Sequence, residues 1–122
     1  MRISKDLVAA SATPLILAIL SREESYGYAI IRKVKDLSDE RVGWSEGMLY
    51  PVLHRLEKQD FISSSWRESE TGRKRKYYAI TGPGREELSR QREQWETVHS
   101  ILSESWKTLK FSTLCWRMSV SF

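Results

Sequence analysis

The apolar residues of this chain change their spacing twice, and that change limits the folds open to it. In "GWSEGMLYPVLHRLEKQDFI", Gly43 to Ile62, residues Leu49, Val52, Leu53 and Leu56 fall at i, i+3, i+4 and i+7, one face of a helix. Two earlier stretches share that period. Leu15, Ile16, Ile19 and Leu20 make a first helix, about Lys5 to Leu20, apolar on most sides and suited to the centre of a core. Ala29, Ile30, Val34 and Leu37 stripe a second helix from Tyr26 to about Leu37, with Ser25 as its expected N-cap. Ser45 caps the third helix, which runs to about Gln59. The period then shortens. "FISSSW" and "KYYAIT" are short runs rich in β-branched and aromatic residues, separated by "RESETGRKR". With Gly72 supplying the turn, they predict a two-stranded hairpin.

Helical spacing returns in "TGPGREEL", with Thr81 as a cap and Pro83 in the first turn. Leu88, Trp95, Leu102 and Leu109 recur every seven residues, broadened by Val98 and Ile101. A seam of that kind calls for a partner helix. The order predicted is three helices, a hairpin and one long helix: a mainly α fold with a β-hairpin wing, the winged helix-turn-helix arrangement. The expected division is a winged unit over 1–81 and a dimerisation helix with an apolar tail over 82–122.

The polar face of the third helix is unusual for a plain surface. It carries Gly47, Tyr50, Pro51, His54, Arg55 and Lys58. Gly47 lets a phosphate or a backbone come close, at about 1 kcal/mol of helix propensity against Ala. Pro51 removes the N–H that would bond the Gly47 carbonyl. Breaches of local rules are expected at functional sites. In a helix-turn-helix the early residues of the recognition helix meet base edges in the major groove, and Ser45 and Gly47 stand at that end. Tyr50 and His54, one turn apart, can each hydrogen-bond to a base or phosphate. The plainer alternative is that Tyr50 packs on the rim of the core and His54 is merely solvated.

The hairpin bears on that choice. From Arg67 to Lys76 it holds Arg67, Arg73, Lys74, Arg75 and Lys76 against Glu68 and Glu70, a surplus of three in a chain whose total is +4. Cations on a protruding turn can follow a DNA backbone, although an ordinary solvated charge run reads the same way. Cys115 is the only cysteine, so neither an internal disulfide nor a Cys-based zinc site can form, and a reducing cytoplasm fits. "LVAASATPLILAIL" is too short to span a bilayer, and Asp6 and Pro14 spoil it as a signal peptide, so no membrane partner is expected. His54 and His99 are the only histidines, and no glycine-rich phosphate loop or metal-ligand cluster is present. The sequence therefore implies no catalysis, no metal and no cofactor. A helical interaction module working through the seven-residue seam is the competing reading, and the cationic wing and Gly47 argue against it.

"SYGYAIIRKVK", "SEGMLYPVLHRLEKQDFI" and "GRKRKYYAITGPGREEL" together resemble the signature stretches of the PadR family of bacterial transcriptional regulators, over about Leu15 to Leu102. The resemblance implies a homodimeric repressor that binds a double-stranded DNA operator. It implies DNA contacts from the third helix and the wing, with Leu88, Leu102 and Leu109 at the dimer seam. The single short last region resembles the small, multidrug-responsive branch of the family. There a tryptophan on the last helix stacks on flat drugs, which implies Trp95 and Val98 as the site of a small aromatic effector. A tryptophan on such a seam also fills an interface core, and both readings of Trp95 stand at this point. The end, "WKTLKFSTLCWRMSVSF", departs from the family pattern in being aromatic and apolar.

Overall fold

A computed structural model of the chain describes residues 2–119, with side chains through 107. Its elements in order are α1 (Lys5–Arg22), β1 (Ser25–Tyr26), α2 (Gly27–Leu37), α3 (Glu46–Lys58), β2 (Ile62–Glu68), β3 (Lys74–Ile80) and α4 (Gly82–Ser119). The fold is mainly helical, with a small antiparallel sheet and a long last helix, as the spacing predicts. Two compact units are present, Met1–Ser89 and Arg90–Phe122, and the first includes the opening turns of α4.

The first unit is built around α1. Ala12, Ile16, Leu17, Ile19 and Leu20 are buried, and around them pack Ile30 and Val34 of α2 and Leu49, Leu53 and Leu56 of α3. Ile62 and Tyr78 close the cluster from the sheet, and Leu88 of α4 packs against it half-buried. Leu37, expected in the α2 stripe, is 61% exposed, because α2 ends there and the chain turns away.

The sheet has three strands in the order β1-β3-β2, not two. Ser25 and Tyr26 pair with Tyr78 and Tyr77, placing β3 at the centre. Ser25 is thus a strand residue rather than the N-cap of α2. Tyr26 takes the cap position and makes no side-chain cap bond. The hairpin closes with Ser69 N–H donating to Arg73 O, 2.8 Å, and Gly72 N–H to Ser69 O, 2.9 Å. Gly72 sits at φ +80°, the left-handed conformation a three-residue hairpin loop needs.

Helix ends set the site's geometry. Ser45 Oγ accepts from Met48 N–H, 3.2 Å, fixing the start of α3. At its other end Phe61 N–H donates to Leu56 O and Asp60 N–H to Glu57 O, with Asp60 at φ 65°. This is a Schellman closure, and it turns the chain straight into β2. Thr81 then fastens the start of α4 beside it. Its N–H donates to Phe61 O, 3.1 Å, its Oγ1 donates to Asp60 O, 2.6 Å, and the same Oγ1 accepts from Gly84 N–H, 3.0 Å.

Candidate nucleic-acid interface

The buried stripe of α3 leaves Gly47, Tyr50, Pro51, His54 and Lys58 exposed. The expected polar face is therefore a real surface. Tyr50 is neither free nor buried: it is 42% exposed, and its ring lies against Gly27 at the start of α2. A Cβ added to Gly27 would stand 2.8 Å from Tyr50 Cζ, so only glycine leaves room for the ring. Behind Tyr50 is Tyr78 of β3. Burial pushes the Tyr78 hydroxyl pKa up, and Tyr50 and then Glu57 add to the shift. Glu57 in turn accepts from Ser64 Oγ and pairs with Lys76 Nζ at 3.9 Å. Glu57 thereby ties α3 to the sheet through Ser64 and Lys76.

Between α3 and the wing lies a cleft. Glu46 and Tyr50 line it from α3, Tyr28 from α2, and Trp66, Arg73 and Lys74 from the hairpin. Glu46 and Tyr50, on the wing-side flank of α3, and the wing cations Arg73 to Lys76 thus border one concavity. Arg73 and Lys74 are exposed at the wing tip. Arg75 and Lys76 are half-buried and engaged within the protein. Arg75 lies over the Tyr26 ring, 4.4 Å from its centroid, and Lys76 over Tyr78 at 5.7 Å. On the same sheet face as Arg75, Tyr26 meets Tyr77 edge-on at 5.4 Å, and Arg67 covers Tyr77 at 4.9 Å. Arg67 also pairs bidentately with Glu24. That guanidinium holds the Glu24 carboxyl below its usual range, and the carboxylate raises Arg67 in return.

Arg55 points elsewhere: it donates to Thr13 Oγ1 of α1 at 2.8 Å. The fold therefore brings Gly47, Tyr50, Pro51, His54, Arg73 and Lys74 to open surface. Ser45 caps its own helix, and Arg55, Arg75 and Lys76 have partners inside the chain. Tyr28 and Trp66, 59% and 67% exposed, also line the cleft. The sequence reading does not single them out, because their place beside the cleft depends on how α2 and the hairpin pack.

In the second unit Trp95, Val98, Ile101, Leu102 and Trp106 of α4 are exposed, an apolar stripe on a helix whose other residues include the Arg92–Glu96 ion pair at 2.7 Å. Leu109 and the rest of the apolar tail, from 108 onward, lie outside the residues with described side chains. Among the described residues no group of His, Cys, Asp and Glu can hold a metal ion, and no helix is long and apolar enough to cross a membrane.

Residues 16–90 match the description of the transcriptional regulator PadR-like family. The chain belongs to this family. Among solved structures, this PadR-like chain is similar to a transcriptional regulator from Clostridium thermocellum, with 32% identity and a TM-score of 0.76, covering 84% of this chain and 96% of that one. It is also similar to a PadR-like transcriptional regulator from Bacillus cereus, with 33% identity and a TM-score of 0.74, covering 84% and 97%. Among curated proteins it is 38% identical over 84 residues to the transcriptional regulator YqjI of Escherichia coli, covering 69% of this chain and 39% of that protein. PadR-like proteins are DNA-binding transcriptional regulators, which are not enzymes.

Proposed function

We propose that this PadR-like protein is a homodimeric, sequence-specific repressor. The observation that carries the reading is the cleft shared by α3 and the wing, with Tyr50 at its wall and Arg73 and Lys74 on its rim. In a dimer the two α3 helices meet successive major grooves about 34 Å apart on a pseudo-palindromic operator. Tyr50 and His54 read base edges, while Gly47 admits close approach. Arg73 and Lys74 neutralise phosphates and contribute salt-dependent affinity.

The stripe of Trp95, Val98, Ile101, Leu102 and Trp106 supports self-association, since exposed apolar residues in register along one helix ask for a second helix. Trp95 and Val98 stand at adjacent turns within it and supply the flat apolar surface that an aromatic effector stacks on. Effector binding favours a spacing of the two recognition helices that no longer fits the operator.

The test is a titration with a duplex from the region upstream of the protein's own gene, beside a scrambled duplex, at two salt concentrations. Tighter binding to the native duplex, with both affinities falling as salt rises, is the expected result. Absence of binding to either duplex at low salt refutes the reading. A flat aromatic cation is then added. It is expected to quench tryptophan emission and weaken operator binding in the parent, and to do neither in Trp95→Ala.

A further inference from the structure

A second cationic surface flanks α3 on the side away from the wing. Counting about 100° per residue, Glu46 and Tyr50 fall on one flank of α3, and Ser45 and Met48 on the other. Gly47, Pro51, His54 and Lys58 occupy the outer face between them. The first flank borders the cleft beneath the wing. The second borders a separate hollow, lined by Arg2 from the segment before α1, Lys5 from the first residue of α1 and Arg41 from the α2–α3 connection. All three cations are exposed, and none has an ion pair among the described residues. No acidic side chain lines the hollow. The nearby Glu40 is turned to Lys35, 3.5 Å away. Arg55 lies on the same side and ties α3 to α1 through Thr13, which keeps the start of α1 in register with α3.

A helix lying in a major groove has a phosphate ridge on each side, the two ridges belonging to opposite strands, with the groove about 12 Å wide. The wing cations can serve only one ridge. We propose that Arg2, Lys5 and Arg41 form a second phosphate-binding surface. It grips the strand opposite the one that meets Arg73 and Lys74, so that α3 is held between two charged flanks. This rests on the DNA-binding reading above and adds residues to it. The flank fixes how deep and at what tilt α3 sits, because a helix anchored on one side only is free to roll about its axis.

The experiment compares the salt dependence of binding to a duplex of mixed sequence, which needs no knowledge of the operator because the phosphate term is sequence-independent. Four proteins are used: the parent, Arg2→Ala with Lys5→Ala and Arg41→Ala, Arg73→Ala with Lys74→Ala, and all five changes together. All five side chains are exposed, and circular dichroism checks that each variant is folded. Each phosphate contact removed lowers the slope of log K against log salt by about 0.9. The flank variant is expected to lose up to about three contacts per subunit. The five-fold variant is expected to lose the sum of both sets, since the sets meet different phosphates. A flank variant with the parent's slope, beside a wing variant with a flattened one, overturns the inference and leaves DNA binding intact. A five-fold variant no flatter than the wing variant overturns it as well. No binding by the parent at low salt brings down this inference and the reading beneath it together.

Discussion

Gly84 offers a sharp test of how the last helix is attached. A Cβ built there would lie 2.8 Å from Ile80 Cγ1 and 2.9 Å from the Phe61 carbonyl carbon, and closer still to Phe61 O. Ordinary carbon–carbon contact is about 3.5–4.0 Å, so Gly84→Ala must push the first turn of α4 back by roughly 1 Å. The obstacle is backbone, which cannot swing aside. The same retreat stretches the Thr81 N–H to Phe61 O bond, now 3.1 Å, and pulls on Thr81 Oγ1 at Asp60 O. Overpacking costs about 1–3 kcal/mol. Losing one of these hydrogen bonds costs about 0.5–1.5 kcal/mol more. Alanine's better helix propensity returns at most about 1 kcal/mol. The net expectation is a loss of about 2 kcal/mol, or a fall in Tm of roughly 10 °C for a unit of this size. Urea unfolding at one fixed protein concentration measures it. Gly82→Ala is the control: nothing lies within 4 Å of the added carbon, two residues earlier on the same helix. If Gly84→Ala matches Gly82→Ala within about 0.5 kcal/mol, the packing argument is wrong.

Gly27→Ala has the opposite signature. Its added carbon meets the mobile end of Tyr50, which can move outward, so stability is expected to shift by less than about 1 kcal/mol while discrimination between operator and scrambled duplex falls; paired unfolding and binding titrations check both. Arg73→Ala with Lys74→Ala is expected to flatten the salt dependence of DNA binding. Arg75→Ala, whose guanidinium lies on Tyr26, should flatten it less and loosen the wing more, as read by hydrogen exchange at β3. The Glu24 carboxyl is lowered by Arg67, so the stability their pair gives is present above the carboxyl's unfolded value and lost as pH falls through its depressed folded value. Glu24→Gln is expected to flatten the acid limb of a stability-against-pH curve slightly and leave neutral pH and above offset by a small constant, because the pair is exposed. A steep acid limb kept intact in that variant counts against the pair.

The helices were legible because their signals are local. Ser45 and Thr81 read as caps from neighbours within four residues, and each makes the cap bond expected of it. β1 was not legible. Two residues carry no period, and their partners, Tyr77 and Tyr78, lie about fifty positions away. Ser25 therefore looked like the start of a helix, which is what a serine before an apolar stripe suggests when nothing distant is known. The candidate site was legible by residue type and not by partner. Composition marks Arg55, Arg75 and Lys76 as cations. Only packing tells that Thr13, Tyr26 and Glu57 hold them, leaving Arg73 and Lys74 for solvent or DNA. The flank of Arg2, Lys5 and Arg41 was invisible for the same reason, since its members come from two segments far apart in the chain.

The pairing of β1 with β3 makes the wing a closing step in folding rather than an appendage. The β2–β3 hairpin is local and can zip by itself, but its third strand arrives only when a loop of some fifty residues, holding α2 and α3, has been closed. On the ribosome, residues 25 and 26 wait unpaired until β3 has emerged, by which time both helices that flank the cleft have been made. The β1–β3 pairing therefore ties the final placement of the cationic wing to the segment that holds α2 and α3. A wing cut out and grafted elsewhere would leave behind the edge that aligns it.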